Sequence, residues 1–341
     1  MSFLKASKAA KNALENVLEA RNNERVLIVC DEQKKEVGEA FANGALSLDL
    51  WTRIVILQKQ EKPRREIPKK LQKVLAQKPD IYINLLQGCR KETPFRIKLI
   101  KIETHDHKSR LGHSPGVTKD MLTKGALALT LEEHKSMQEH AKKLMCALED
   151  VVTVKISNPT GTNLTLSTQN RRFFTDTRLN WKSMKWMNLP TGEVIVAPVE
   201  DSLYGKLVCD MAIGGIGKLR KPVQLTTNKG KVEKVSSEDN NHMQRVKDTL
   251  KTDNWSNIVG EFAFGINPKA RFVDEFLETE KILGTVHIAF GMNTDMPGGK
   301  NQSKNHMDML ISEPTVNVTK KNGETVTILE KGLFRLPRYD R

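Results

Sequence analysis

Apolar positions follow two different rhythms along this chain. The first 24 residues, MSFLKASKAAKNALENVLEARNNE, place apolar and charged residues at helical spacing, which predicts an amphipathic helix. No unbroken apolar run precedes a small-residue cleavage site there, so the segment is not read as a signal. Residues 24–32, ERVLIVCDE, form a short β-branched run, followed by a helix-period segment over Lys34–Leu48. The pattern then repeats: TRIVILQK predicts a strand, REIPKKLQKVLAQ a helix and DIYINLLQ a strand, and FRIKLIKIET reads as a further strand or helix-strand passage. Strands alternating with helices at this spacing predict a parallel, doubly wound sheet. No G-x-G-x-x-G follows the first strand, so dinucleotide binding is not supported.

LEEHKSMQEHAKKLMCALE, residues 131–149, predicts a long helix, and after it the rhythm changes. VVTVKI, NLTLST, EVIVAPVE, KLVCDMAI and PVQLTT are short strand runs separated by turn signals such as NPTGTN and TNKG. Further helices are predicted over Asn241–Leu250 and around Val273–Lys281. The expected organisation is α/β: a Rossmann-like N-terminal domain over residues 1–150, then a mixed α+β, β-rich domain over residues 151–341. A length of 341 residues suits two such cores.

Composition narrows the function classes. With 38% hydrophobic and 28% charged residues the chain reads as globular, and no apolar run approaches the roughly 18 to 20 residues a membrane span needs. The formal charge of +14 is densest over Lys59–Lys73, but only 5% of residues are aromatic and no RNA- or DNA-binding signature is present. A solvated basic surface is therefore the preferred reading over nucleic-acid binding. Cys30, Cys89, Cys146 and Cys209 are scattered with no CxxC pair, which is read as buried thiols in a reducing, cytoplasmic setting.

Candidate chemistry gathers in the second half. Glu193 in NLPTGEVIVAP, Glu261 in NIVGEFAFGINP, His287 in ILGTVHIAFG, and His306 with Asp308 in NHMDMLI each sit in or beside an apolar, strand-like run. A charged group on such a strand is costly unless it is paired or binds a cation, so their convergence suggests a metal. On a strand His306 and Asp308 share one face. Their spacing alone is weak, because roughly two His-x-acid pairs arise by chance in a chain of this composition. Glu193 taken singly reads as a solvated charge at a strand start, and His287 as a hydrogen-bonded core histidine. Glu261 has no such bland reading, since VGEFAFG contains no other polar side chain. The second histidine cluster, His105, His107 and His113 in ETHDHKSRLGHSPG, is read as a solvated or substrate-entry loop, with a further metal site as the alternative.

The ordered set PTGEV, GEFAFG, EKILGTVHIAFG and NHMDMLI, spread over residues 188–311, resembles the signature of the thermophilic-type metalloaminopeptidases, the family that includes the aminopeptidase T, aminopeptidase S and leucyl aminopeptidase-like groups. The resemblance implies two divalent ions (zinc, cobalt or manganese) with Glu193, Glu261, His287, His306 and Asp308 as ligands. It further implies a metal-activated hydroxide as nucleophile, a peptide substrate with a free N-terminus, and a homodimer. Glu280 is the candidate for general base or supporting partner. Two departures stand out: Thr294 occupies the position of a family tyrosine, and the connection from His287 to His306 is shorter than in the family. The resemblance also leaves two other readings. One is a ring-cleaving dioxygenase of the 2,5-dihydroxypyridine type, using one Fe(II) on His287, His306 and Asp308. The other is a non-enzymatic basic binding protein. Glu193 and Glu261 argue against the dioxygenase, because extra carboxylates favour a second divalent ion.

Overall fold

A computed structural model describes residues 2–105, 108–179 and 185–336. It is a mixed α/β protein with three sheets among the described residues, and the chain divides into two compact units, residues 1–138 with 176–191, and residues 139–175 with 192–341. Among the described residues no helix is long and apolar enough to cross a membrane.

The first unit holds a parallel sheet with strands in the order Trp51–Leu57, Arg25–Asp31, Ile81–Leu85, Arg110–His113 and Trp186–Asn188. Its central strands are apolar at consecutive positions because both faces are covered. Val26, Ile28, Cys30, Ile81 and Ile83 pack with Leu14, Leu18 and Phe41 on one side, whereas Leu27, Val29, Tyr82 and Leu111 pack with Leu71, Val74, Phe95 and Leu99 on the other. The N-terminal amphipathic segment is a helix over Ser2–Asn16, and the segment after the first strand is a helix over Lys35–Leu46.

Three expectations are corrected here. The segment read as a strand or helix-strand passage is a helix over Thr93–Glu103, with Pro94 in its first turn and Phe95, Leu99 and Glu103 buried along one i, i+4 face. The alternation of FRIKLIKIE mimics a strand, but Ile97 and Ile102 point outward. His113 lies on a buried strand and is only 5% exposed, so it is no part of a solvated loop; His105 is exposed and His107 lies outside the described residues. All four cysteines are free, but only Cys30 and Cys209 are buried; Cys89 is half-buried and Cys146 is exposed.

Among its described residues the second unit contains two antiparallel sheets, of eight and seven strands. The helix expected around Val273–Lys281 is confined to Phe276–Thr279. Four neighbouring strands of the seven-stranded sheet matter for function: His306–Ile311, Val286–Gly291, Val259–Gly265 and Glu193–Val196. One face of this sheet is core, where Phe262, Phe264, Ile288, Phe290, Met307 and Met309 are each at most 1% exposed. Burial of each such side chain contributes about 2 to 3 kcal/mol. The other face carries the polar residues.

Candidate metal centre

Strand register explains how residues far apart in sequence meet. Asp308 pairs with Ala289, and Ala289 pairs with Glu261, so these three form one row across the sheet. The next row runs Leu310, His287, Ala263 and Ile195. His306 pairs with Gly291, and Glu193 with Gly265, placing both on the same face. Alanines and glycines occupy the points between the polar residues, which leaves room above the sheet.

A β-bulge at Gly260 makes this possible. Val259 pairs with Phe290 and Glu261 with Ala289, so two steps on one strand oppose one on the other. Strict alternation would put Val259 and Glu261 on one face; the extra residue keeps Val259 with Phe290 and turns Glu261 to the polar side. Only glycine fits there, because a Cβ at position 260 would meet the Gly291 carbonyl oxygen at 2.7 Å.

The donor atoms converge closely. His287 Nε2 lies 3.2 Å from Glu261 Oε1 and 3.5 Å from Glu193 Oε1, whereas His306 Nε2 lies 3.1 Å from both Glu261 Oε2 and Asp308 Oδ1. Two triplets result, Glu193–Glu261–His287 and Glu261–His306–Asp308, and the donor atoms within each lie within 4.8 Å of one another. Glu261 belongs to both, one oxygen toward each histidine. All five ligand candidates are thus brought together.

Glu193, Glu261 and His287 are buried, while His306 stands at the rim. His306 Nδ1–H donates to the Met292 carbonyl at 2.8 Å, which leaves Nε2 facing two carboxylates. A neutral imidazole lone pair opposite carboxylate oxygens is repulsive, so a cation, either a proton or a metal ion, belongs between them. His287 Nε2 poses the same requirement, and its Nδ1 has no hydrogen-bond partner among the described residues. Burial lowers the basicity of both histidines, but for His306 the Asp308 charge, and for His287 the hydrogen bond to Glu261, outweigh it and raise both above the ordinary value. Burial pushes the Glu261 carboxyl up, yet the bonds from His287 and His306 dominate and hold it low. This donor set of carboxylate oxygens and imidazole nitrogens suits divalent zinc, cobalt or manganese.

Glu280 follows the short helix and is 7% exposed; burial pushes its carboxyl up to about 8, with Lys281 opposing and Glu193 reinforcing the shift. Thr294 is exposed in the loop after the His287 strand. One residue at the centre has no place in the sequence reading. Lys281 is 2% exposed, its ammonium 3.0 Å from Glu280 Oε1 and hydrogen-bonded to Glu193 Oε2. Its signal in the sequence is faint: a Glu-Lys pair entering an apolar run.

Comparison with known proteins gives three findings. The sequence model of the thermophilic metalloprotease family (M29) matches residues 127–334, which is more than half the chain and includes every ligand candidate. A search of curated protein sequences finds no match. Among solved structures, the fold is similar to wild-type AmpT from Thermus thermophilus, with a TM-score of 0.73 and 17% identity over 97% of this chain and 99% of that one. It is similar also to 2,5-dihydroxypyridine dioxygenase from Pseudomonas putida KT2440, with a TM-score of 0.72 and 16% identity over 98% of each chain. Likeness at such identities is one of fold.

Proposed function

The chain belongs to the thermophilic metalloprotease family, and on that premise we propose that it is a metal-dependent aminopeptidase with two divalent ions held by Glu193, Glu261, His287, His306 and Asp308. The observation that carries this reading is Glu261. Its two oxygens face different histidines, so one carboxylate joins two donor triplets. One ion needs three or four protein ligands, and five residues sharing a central carboxylate suit a pair.

Divalent ions in such a site supply Lewis acidity to the peptide carbonyl and lower the pKa of a water, worth several kcal/mol of transition-state stabilisation. The protein's own groups do the rest. The carbonyl of Met292 orients His306. Glu280, beside Glu193 across one ammonium, is our candidate to take a proton from the attacking water and return it to the departing amine. The parallel sheet of the first unit, with helices covering both faces, supports reading that unit as Rossmann-like. The family resemblance carries a homodimer as well.

The test is metal analysis of the purified chain, followed by assays with unblocked peptides and the same peptides N-acetylated. The expected result is close to two divalent ions per chain and chelator-sensitive release of N-terminal residues from the unblocked set alone. One iron per chain with cleavage of dihydroxypyridine under oxygen would favour the dioxygenase, and a folded chain that takes up no metal would sink both.

A further inference from the structure

The backbone of Lys281 already meets what the fold requires at its position. Its N–H donates to the Glu278 carbonyl at 3.1 Å, and its own carbonyl accepts from the Asn267 N–H at 2.9 Å. An unbranched apolar side chain would permit both bonds, so the buried ammonium needs another reason. That ammonium touches two carboxylates with different tasks. It bonds Glu193 Oε2, which leaves Glu193 Oε1 turned toward His287 Nε2 at 3.5 Å, and it lies 3.0 Å from Glu280 Oε1. One cation thus fixes which oxygen of a ligand candidate faces the centre, and it holds the proton-transfer candidate beside it.

We propose that Lys281 is a positioning residue that clamps Glu193 and Glu280 in register, presenting Glu193 Oε1 to the metal and preventing the two carboxylates from turning away from each other. The inference rests on the metallopeptidase reading above. Removal of the ammonium deprives the buried Glu193 carboxylate of its bonded partner and Glu280 of its anchor, and the ligand loses its preferred rotamer. Partners that orient a ligand in this way typically change metal affinity or activity by about 10- to 100-fold when lost.

The experiment uses the full chain and begins with the wild type, whose metal content and turnover test the parent reading by themselves. Lys281→Met is then dialysed against graded chelator and its ions counted, and kcat and KM are measured on an unblocked peptide. The expected result is one ion retained about 10- to 100-fold more weakly and kcat lowered by a similar factor, with KM within about threefold of wild type. Adding Glu280→Gln sets an amide N–H donor beside Glu193 in place of the lost ammonium and should restore ion retention while kcat stays low. A metal-replete, active wild type whose Lys281→Met variant behaves identically overturns the clamp alone; a wild type without metal overturns the parent reading and the clamp with it. Ion retention that Glu280→Gln fails to restore would reduce Lys281 to a packing residue. If Lys281→Met does not fold, Lys281→Gln, which keeps a hydrogen-bond donor without the charge, takes its place. Failure of both to fold assigns the ammonium to the fold and overturns the proposal.

Discussion

Both units bury carboxylates and imidazoles, with opposite results. In the first unit Glu103 is 1% exposed; burial holds its carboxyl well above the usual range, and a 2.6 Å hydrogen bond from Asn84 only partly opposes this. His113, paired with Asn84 across the sheet, is driven down to about 3, first by burial and then by the charge of Arg96. His113 is therefore neutral at pH 7, and the Glu103 carboxyl is shifted toward its neutral form. In the second unit Glu261 is buried as well, but hydrogen bonds from His287 and His306 hold its carboxyl low, and its own charge raises both histidines in turn. Burial alone discharges a titratable group, whereas burial among converging partners preserves the charge that a cation needs.

The same isosteric change should therefore have unequal effects in the two places. Glu261→Gln retains shape and removes charge, and it should lower metal occupancy and reduce kcat by more than about 100-fold, since even supporting partners of a metal cost 10- to 100-fold. The apo fold should persist, because a buried charge without compensation is itself unfavourable. Metal counting and circular dichroism check this together; unchanged metal content would show that Glu261 is no ligand.

A second expected effect lies on the neutral side. His113 stays unprotonated in the fold down to about pH 3, while in the unfolded chain it binds a proton below its ordinary value of 6.5. The unfolded state then carries more protons, so the contribution of His113 is intact above pH 6.5 and is lost as the pH falls toward 3. At pH 5 the loss is about 2 kcal/mol. Melting temperature measured from pH 7 to pH 4 should fall in wild type and fall less steeply in His113→Gln. Parallel curves would contradict the neutral, buried assignment.

The smallest effect is expected from Glu103→Gln. Burial already favours its uncharged form, so the substitution exchanges one hydrogen-bonding group for another of the same shape, and urea unfolding should register a change under about 1 kcal/mol. A large loss, comparable with that of a metal ligand, would erase the distinction between the two units.

Legibility in the sequence followed the same divide. Glu193, Glu261, His287, His306 and Asp308 could be picked out because each is a polar residue interrupting or bordering an apolar strand run. The strands of both units declared themselves by β-branched runs between turn residues. The helix over Thr93–Glu103 did not, because an apolar residue at nearly every second position satisfies both periods, and only Pro94 hinted at a helix start. His113 was obscured by its charged neighbours, although its strand is buried. Lys281 escaped because a lysine near a turn is ordinarily solvated, and nothing local announces that Glu193, from another strand, will close over it together with its neighbour Glu280.

The bulge at Gly260 carries a consequence for how such chains change over time. It is a phase slip, and everything downstream on its strand is read in the opposite frame from everything upstream. Deleting Gly260 would leave composition, hydrophobicity and strand propensity nearly intact, yet it would bring Val259 and Glu261 to adjacent positions and force one stretch of the strand to turn its faces over. A centre built on such a slip tolerates many substitutions around it and very few changes in length through it. Insertions and deletions should consequently accumulate in the loops between these strands and be rare within Val259–Gly265 itself.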